Sequence, residues 1–207
     1  MNKLQVIAKS AFAGLLIGLA AIVFVLIKEA LPEPYGLIVG SCMFSIGLIS
    51  VILLEAYLFT GKVGYINSKE TLINGLISLP VNLIVAFVVG LIFRAIMGAQ
   101  TLMDAKLALP WYEVLFKGII TGALIYLAVE LYKHVKSLIV VILPVMAFIL
   151  SGSLHCIAEA AYIGMCELNV NELLYILLVI LGNSIGSLII RGLQLLGTKL
   201  IKKEPEA

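Results

Sequence analysis

Residues 144–166 read PVMAFILSGSLHCIAEAAYIGMC, an apolar stretch with a polar centre. A Ser-Gly-Ser run at 151–153 weakens the helix there, His155 follows it, and Glu159 lies one helical turn further on. An ionisable side chain at bilayer depth costs at least about 2.5 kcal/mol on insertion scales, so it usually faces a cavity, a partner or a permeation path. Non-helical backbone at that depth is tolerated where it is buried in protein or lines an aqueous cavity. The stretch therefore predicts an interrupted membrane helix beside an internal site.

A second apolar stretch, residues 53–65, has the same character and reads LLEAYLFTGKVGY. Thr60 and Gly61 interrupt a long hydrophobic run, which predicts that the helix breaks at these two residues. One interrupted segment in each half of a membrane chain is typical of a transport site between two repeats.

Composition places nearly the whole chain in a membrane. Of its 207 residues 62% are hydrophobic and 13% are charged, and a membrane-spanning helix takes about 20 apolar residues. We therefore predict an all-α integral membrane protein with six transmembrane helices and no soluble domain. The predicted spans are about 10–27, 37–59, 72–97, 112–131, 138–166 and 173–200. We expect one channel domain over residues 1–207, with repeat halves of about 1–100 and 101–207.

The basic residues predict the orientation of the chain. With the amino terminus inside, ten lysines and arginines fall on the cytoplasmic side and four outside, so both termini are predicted in the cytoplasm. The outer four are Lys28, Arg94, Lys106 and Lys117, and the inner ten are Lys3, Lys9, Lys62, Lys69, Lys133, Lys136, Arg191, Lys199, Lys202 and Lys203. Because the charges are spread over helix ends and a net charge of +2 is small, no nucleic-acid partner is predicted.

A weak internal repeat supports two halves. Gly14 and Gly18 in the first span match Gly118 and Gly122 in the fourth, and each pair is a GxxxG that lets helices approach closely. Three spans per half is an odd number, so the halves are predicted to be inverted. The breaks after Tyr57 and after Leu154 align only at a smaller offset, which predicts length changes within the repeat.

Five short motifs, in order, resemble the formate/nitrite transporter family. They are FSIGL at 44–48, LFTG at 58–61, Lys106 twelve residues before Gly118, LPVMAFILSGSLHC at 143–156 and LGNSIGS at 181–187. The resemblance implies an aquaporin-like fold, a homopentamer with one pore per protomer, and passage of small monovalent anions such as formate, nitrite or hydrosulfide across the cytoplasmic membrane. It places Thr60 and His155 face to face near the midpoint of the pore. It also implies an apolar constriction at Phe44 and Phe148, and another at Leu48, Leu58 and Phe59.

The chain departs from the family pattern at several positions. Tyr57 and Leu154 stand where the family usually has acidic residues, and Gly122 and Glu159 stand where it usually has asparagines. These departures leave the choice of solute open. A pore for a neutral or cationic solute, such as ammonia or glycerol, is the alternative.

The predicted chemistry concerns moving an anion through apolar rings, where a bare charge is costly and a neutral acid crosses more easily. We hypothesise that Lys106 and exposed N–H groups at the broken helix ends attract the anion. His155, whose side chain titrates near neutral pH in its ordinary state, then supplies a proton or a hydrogen bond.

Purely structural roles for the same residues stay open as alternatives. His155 and Thr60 can serve only to hold the helix ends, and Lys106 can be an ordinary loop lysine. Glu55 and Glu159 are either buried partners of basic groups or selectivity residues. Asn82 and Asn183 are predicted to make helix–helix hydrogen bonds.

Other functional classes lack sequence support. The HExxH motif and a nucleotide-binding loop are absent, so no enzyme activity, cofactor or metal is predicted. Cys42, Cys156 and Cys166 are predicted to be small buried apolar side chains. The expected partners are further copies of the chain, membrane lipids and the small anion.

Overall fold

The computed structural model describes the chain from residue 1 to residue 201, with side-chain environments given for residues 1–198. The final residues KKEPEA lie outside the described part, and they include Lys202 and Lys203 of the predicted cytoplasmic set. The side chain of Lys199 lies outside it too. Within the described part the chain is almost entirely helical. Five helices are long and apolar enough to cross a membrane: α1 (Lys3–Ala30), α2 (Tyr35–Leu53), α4 (Lys69–Met97), α6 (Trp111–Val135) and α9 (Glu172–Ile201).

Four shorter helices complete the described chain. They are α3 (Phe59–Lys62), α5 (Asp104–Leu107), α7 (Ile139–Leu150) and α8 (Cys156–Met165), and a 3-10 turn at Val63–Tyr65 continues α3. Local sequence explains several ends. Ser68 caps α4 in a reciprocal pair with Thr71. Helix α4 ends at Met97, and Gly98 follows with a φ of 87°, which suits a residue without a side chain.

The interruption of the second span lies earlier than the sequence predicts. Helix α2 ends at Leu53, Glu55 has a left-handed φ of 52°, and α3 begins at Phe59. Thr60 and Gly61 therefore lie inside α3, and the prediction that the helix breaks at these two residues is wrong. The helix leaves its course at 54–58 because the backbone there finds partners on other helices, as with the Tyr57 N–H that donates to Lys9 O at 3.0 Å.

A second non-helical segment separates α7 from α8. It covers Ser151 to His155, and Gly152 has a φ of 66°, a conformation that glycine adopts without strain. The backbone of this segment is also tied to another helix, since the Leu154 N–H donates to Lys117 O at 3.4 Å.

Helix packing repeats between the two halves of the chain. Helix α1 packs on α2 and α4, and α6 packs in the same way on α7 and α9. Helix α8 contacts α1, α4 and α9, while its counterpart α3 contacts α6, α9 and α4. Helices α2 and α7 pack on each other, where the two halves meet.

Two close helix contacts show which glycines are equivalent. A side-chain Cβ at Gly14 would lie 2.6 Å from Asn82 O, and one at Gly122 would lie 2.0 Å from Asn183 O. These contacts pair Gly14 with Gly122, one helical turn away from the sequence alignment that matched Gly14 with Gly118. GxxxG spacing alone does not fix that register, because Gly118 also sits at a close contact, 3.1 Å from Gly182 Cα.

Substituting Gly122 by Ala is expected to lower the free energy of unfolding by about 1–3 kcal/mol, because overpacking a tight contact forces the helices apart. The contact atoms belong to the backbone of α9 and have little room to move. Unfolding in mixed detergent micelles measures the change. Gly192→Ala is the matched control, since no atom lies within 4 Å of a Cβ there. Equal stability of the two variants would contradict the assigned close contact.

The helix bundle has two ends, which differ in the contacts that close them. The amino-terminal end is where the Met1 amino group pairs with Glu70 at 3.2 Å. The far end is where the Gln100 N–H donates to Met165 O at 2.9 Å and Arg94 Nη1 donates to Cys166 O at 2.6 Å. Cys156 and Cys166 are buried as predicted, but Cys42 is exposed. The prediction for Cys42 is wrong because apolar sequence does not tell an inward helix face from an outward one.

Candidate functional site

Thr60 and His155 meet inside the bundle. Thr60 Oγ1 lies 2.9 Å from His155 Nε2, and both residues are almost fully buried, with 1% and 2% of their surface exposed. His155 also caps α8, where its Nδ1 accepts a hydrogen bond from the Ala158 N–H at 3.3 Å. Because Nδ1 is the acceptor, the proton of the neutral ring lies on Nε2, so His155 donates to Thr60. The Thr60 hydroxyl hydrogen is then free to point elsewhere.

Asn82 and Asn183 hold the two non-helical segments in matching ways. Asn82 Oδ1 accepts from the Phe59 N–H at 2.8 Å, and its Nδ2 donates to Tyr57 O at 3.1 Å and Ser10 O at 2.7 Å. The buried amide thereby satisfies a backbone donor and acceptor that flank Leu58.

The second asparagine does the same in the other half. Asn183 Oδ1 accepts from the Cys156 N–H at 2.9 Å, and its Nδ2 donates to Leu154 O at 2.8 Å and Gly118 O at 2.9 Å. The N–H groups of Phe59 and Cys156 are therefore occupied. The hypothesis of exposed N–H groups at the broken ends fails for these two donors.

Aromatic side chains pack beside the histidine. Phe44 and Phe148 are buried and meet edge to face with ring centroids 6.1 Å apart, and Phe148 lies at the same distance from the His155 ring. Phe24 packs against Phe44 at 6.4 Å. The two predicted constriction residues on α2 and α7 thus form one apolar contact that adjoins the Thr60–His155 pair.

A cavity of about 610 Å³ opens at the amino-terminal end and reaches the other predicted constriction. Leu48, Leu58 and Gly61 line it, and the two leucines are almost fully buried. Phe59 is buried but lies against α4, with its ring 3.9 Å from where a Gly75 Cβ would stand. We call this space the lysine cavity, because four lysines line it: Lys9, Lys62, Lys133 and Lys136.

Glu55 lies at the rim of the lysine cavity. Its side chain is 83% exposed, and Oε2 is 3.6 Å from Lys9 Nζ. Of the two roles left open for Glu55, burial against a basic group is excluded by this exposure.

Lys106 and Glu159 form an ion pair toward the far end. Lys106 Nζ lies 2.8 Å from both carboxylate oxygens of Glu159, and only 3% of the Glu159 side chain is exposed. The Tyr175 hydroxyl donates to Glu159 Oε2 at 2.8 Å, and Lys106 Nζ stands 4.4 Å from the Tyr162 ring centroid. Glu159 is thus a buried partner of a basic group, and Lys106 is not an ordinary loop lysine.

Comparison with known proteins identifies the chain. The family model described as formate/nitrite transporter matches residues 1–197. The chain belongs to the formate/nitrite transporter family. It is a multi-pass membrane transport protein, in agreement with its five long apolar helices.

Solved structures of the formate/nitrite transporter family share its fold. A structure described as a pentameric formate channel with formate bound aligns with a TM-score of 0.82 and 25% identity, covering 96% of this chain and 98% of that one. A structure described as an FNT family ion channel aligns with a TM-score of 0.85 and 22% identity, covering 95% and 91%. No curated protein sequence matches this family member significantly.

Sequence reasoning missed several contacts of this family member. Tyr162 contacts the same lysine as Glu159 and lies three residues after it on the same helix. Helical spacing was therefore available as a signal that the two side chains share one face. Tyr175 and the lysine cavity gave no local signal, because their contacts join distant parts of the chain. His134 is largely exposed, with its side chain 3.6 Å from Glu130.

Proposed function

We propose that the chain forms a channel for small monovalent weak-acid anions, of the class of formate, nitrite and hydrosulfide, across the cytoplasmic membrane. The observation that carries the proposal is the buried Thr60–His155 hydrogen bond, which joins two interrupted segments beside a pair of apolar rings. The similar solved channel that holds formate supports an anion as the solute.

We further propose that each chain is a single channel domain of two inverted three-helix repeats, with broken second and fifth spans and an aquaporin-like arrangement. The matching helix contacts of α1–α4 and α6–α9 support the repeat, as do the matching bonds of Asn82 and Asn183. Both termini lie in the cytoplasm in this proposal, so the lysine cavity faces inward. Five chains assemble in this proposal, one pore in each, and the similar channel described as pentameric supports the number of chains.

The proposed passage depends on reducing the charge of the solute. An anion meets a large desolvation penalty between apolar rings, while a hydrogen-bonded or protonated acid meets a much smaller one. The His155 ring lies 6.1 Å from the Phe148 ring between centroids, and the acceptor of its Nε2–H is Thr60. The solute anion takes the place of Thr60 as acceptor of the Nε2–H hydrogen bond and takes up a proton from the solution, while His155 keeps its own. The neutral acid then passes the contact between Phe44 and Phe148.

Lys106 belongs to the far part of the pathway in this proposal. An anion that approaches it competes with Glu159, whose two oxygens already hold the ammonium group. Glu159 also supports a second candidate function, a pore for a neutral solute such as ammonia or glycerol, because the ion pair leaves this region without net charge.

Flux through proteoliposomes decides between the two functions. We expect formate, nitrite or hydrosulfide to cross at least about tenfold faster than through empty vesicles, with a rate that rises as pH falls toward the pKa of the acid. Glycerol and ammonia serve as the neutral comparison. Acceleration of the neutral solutes alone would refute the anion channel and support the alternative.

A further inference from the structure

Equivalent positions in the two halves carry opposite charges. Asn82 binds the N–H of Phe59 and Asn183 binds the N–H of Cys156, so these two residues correspond. Lys62 follows Phe59 by three residues, and Glu159 follows Cys156 by the same number. A cation therefore stands on the amino-terminal side of the central hydrogen bond where an anion stands on the far side.

At the far end the nearby lysines are already neutralised. Lys106 is held by both oxygens of Glu159. Lys117, whose Nζ lies 3.9 Å from the Cβ position of Gly152, pairs with Glu113 at 3.0 Å. An entering anion meets no unpaired lysine among these side chains.

The lysine cavity differs in this respect. The two carboxylates that line it already form ion pairs, Glu55 with Lys9 and Glu70 with the amino terminus. Lys133 pairs with Glu130 at 3.2 Å. Among residues 1–198, no carboxylate oxygen lies within 4 Å of the ammonium groups of the other two lysines, which are Lys62 and Lys136.

Of the two lysines, Lys62 is the one near the Thr60–His155 hydrogen bond in the sequence. It is two residues from Thr60 and lines the cavity together with Leu58 and Gly61. Asn74 lines the same cavity and is only 8% exposed. Its side-chain amide can donate a hydrogen bond to an anion. Lys136 caps the end of α6 at a left-handed φ of 57°.

We infer that the lysine cavity is the anion-capture site of this chain, with Lys62 as its principal cation, and that the far end captures anions weakly. The ligand class is a small monovalent anion. This inference rests on the proposed anion channel and adds which mouth recruits the solute. Positive charge at a pore mouth raises the local concentration of anions and falls in effect with ionic strength.

The first test is flux at anion concentrations below saturation. Lys62→Gln is expected to lower formate flux about 5-fold, since a unit charge about 4 Å away in water contributes close to that factor. The matched control is Lys3→Gln, an exposed lysine that does not line the cavity. The difference between the variants is expected to shrink at about 0.5 M salt, because screening shortens the reach of the charge. Equal flux of the two variants would overturn the inference.

A second test measures the local charge without transport. Ile52→Cys in a Cys42→Ala background places a thiol in the lysine cavity and removes the exposed native one. We expect Lys62→Gln to lower the ratio of anionic to cationic methanethiosulfonate reaction rates about 10-fold, and Lys3→Gln to leave it unchanged. An unchanged ratio in Lys62→Gln would overturn the inference. If the wild-type protein passes no weak acid, the proposed function fails, and this ratio still decides whether Lys62 gathers anions.

Discussion

Replacing His155 by Asn is expected to lower weak-acid flux about 10- to 100-fold while the protein stays folded. Asparagine is a good helix cap, so it keeps the cap on α8 that His155 Nδ1 provides. It lacks the Nε2–H that reaches Thr60 Oγ1. A buried hydrogen-bonding group left without its partner costs about 1–3 kcal/mol, and about 1.4 kcal/mol is a tenfold change.

Proteoliposome flux of formate at two pH values measures this effect. His155→Ala serves as a second variant that loses both the cap and the donor, so comparison with His155→Asn separates folding from passage. Thr60→Val tests the other side of the same hydrogen bond and is expected to keep His155 available to the solute. Normal flux and unchanged pH dependence in His155→Asn would remove the histidine from the proposed mechanism.

Replacing Lys106 by Gln is expected to lower the free energy of unfolding by about 3 kcal/mol. Glu159 would then be left almost fully buried with only the Tyr175 hydroxyl beside its charge. Breaking a buried ion pair by removing one partner typically costs about 3–5 kcal/mol, and the partial exposure of Lys106 argues for the lower value. Changing both residues to Gln is expected to recover most of the loss, because no uncompensated charge remains.

Denaturation in mixed micelles gives these values, and Lys117→Gln is the control. Lys117 pairs with Glu113, whose side chain is 39% exposed against 3% for Glu159, and a pair with an exposed carboxylate contributes about 0.5 kcal/mol or less. If Lys106→Gln and Lys117→Gln were equally stable, the Lys106–Glu159 pair would not be a significant buried contact. Glu159→Gln adds a transport test, since it releases Lys106 and is expected to raise anion flux relative to glycerol.

The sequence predicted the membrane class and the approximate spans, because a bilayer demands long apolar helices and leaves few alternatives. Family resemblance predicted that Thr60 and His155 face each other, and in the structure they share a hydrogen bond. The Ser-Gly-Ser run marked the non-helical segment before α8, since its glycine adopts a left-handed conformation that other residues avoid.

The position of the interruption between α2 and α3 could not be predicted from the local sequence. Apolar residues continue through 54–58, and the helix stops there because Asn82, far along the chain, supplies partners to Tyr57 and Phe59. The same reason hid the ion pair of Lys106 with Glu159, which are 53 residues apart. Contacts between helices fix these features, and no pattern within one helix records them.

The bonds of the two asparagines have a consequence for how the chain enters the bilayer. Asn82 contacts residues 10, 57 and 59, whereas Asn183 contacts residues 118, 154 and 156. Every partner precedes its asparagine and belongs to the same half. The ribosome must therefore synthesise α4 before the backbone groups of the first non-helical segment find their partner, and α9 before those of the second do. Each half of the chain thus supplies its own hydrogen-bond partners. Two fragments split in the loop near residue 100 should consequently insert separately and reassemble.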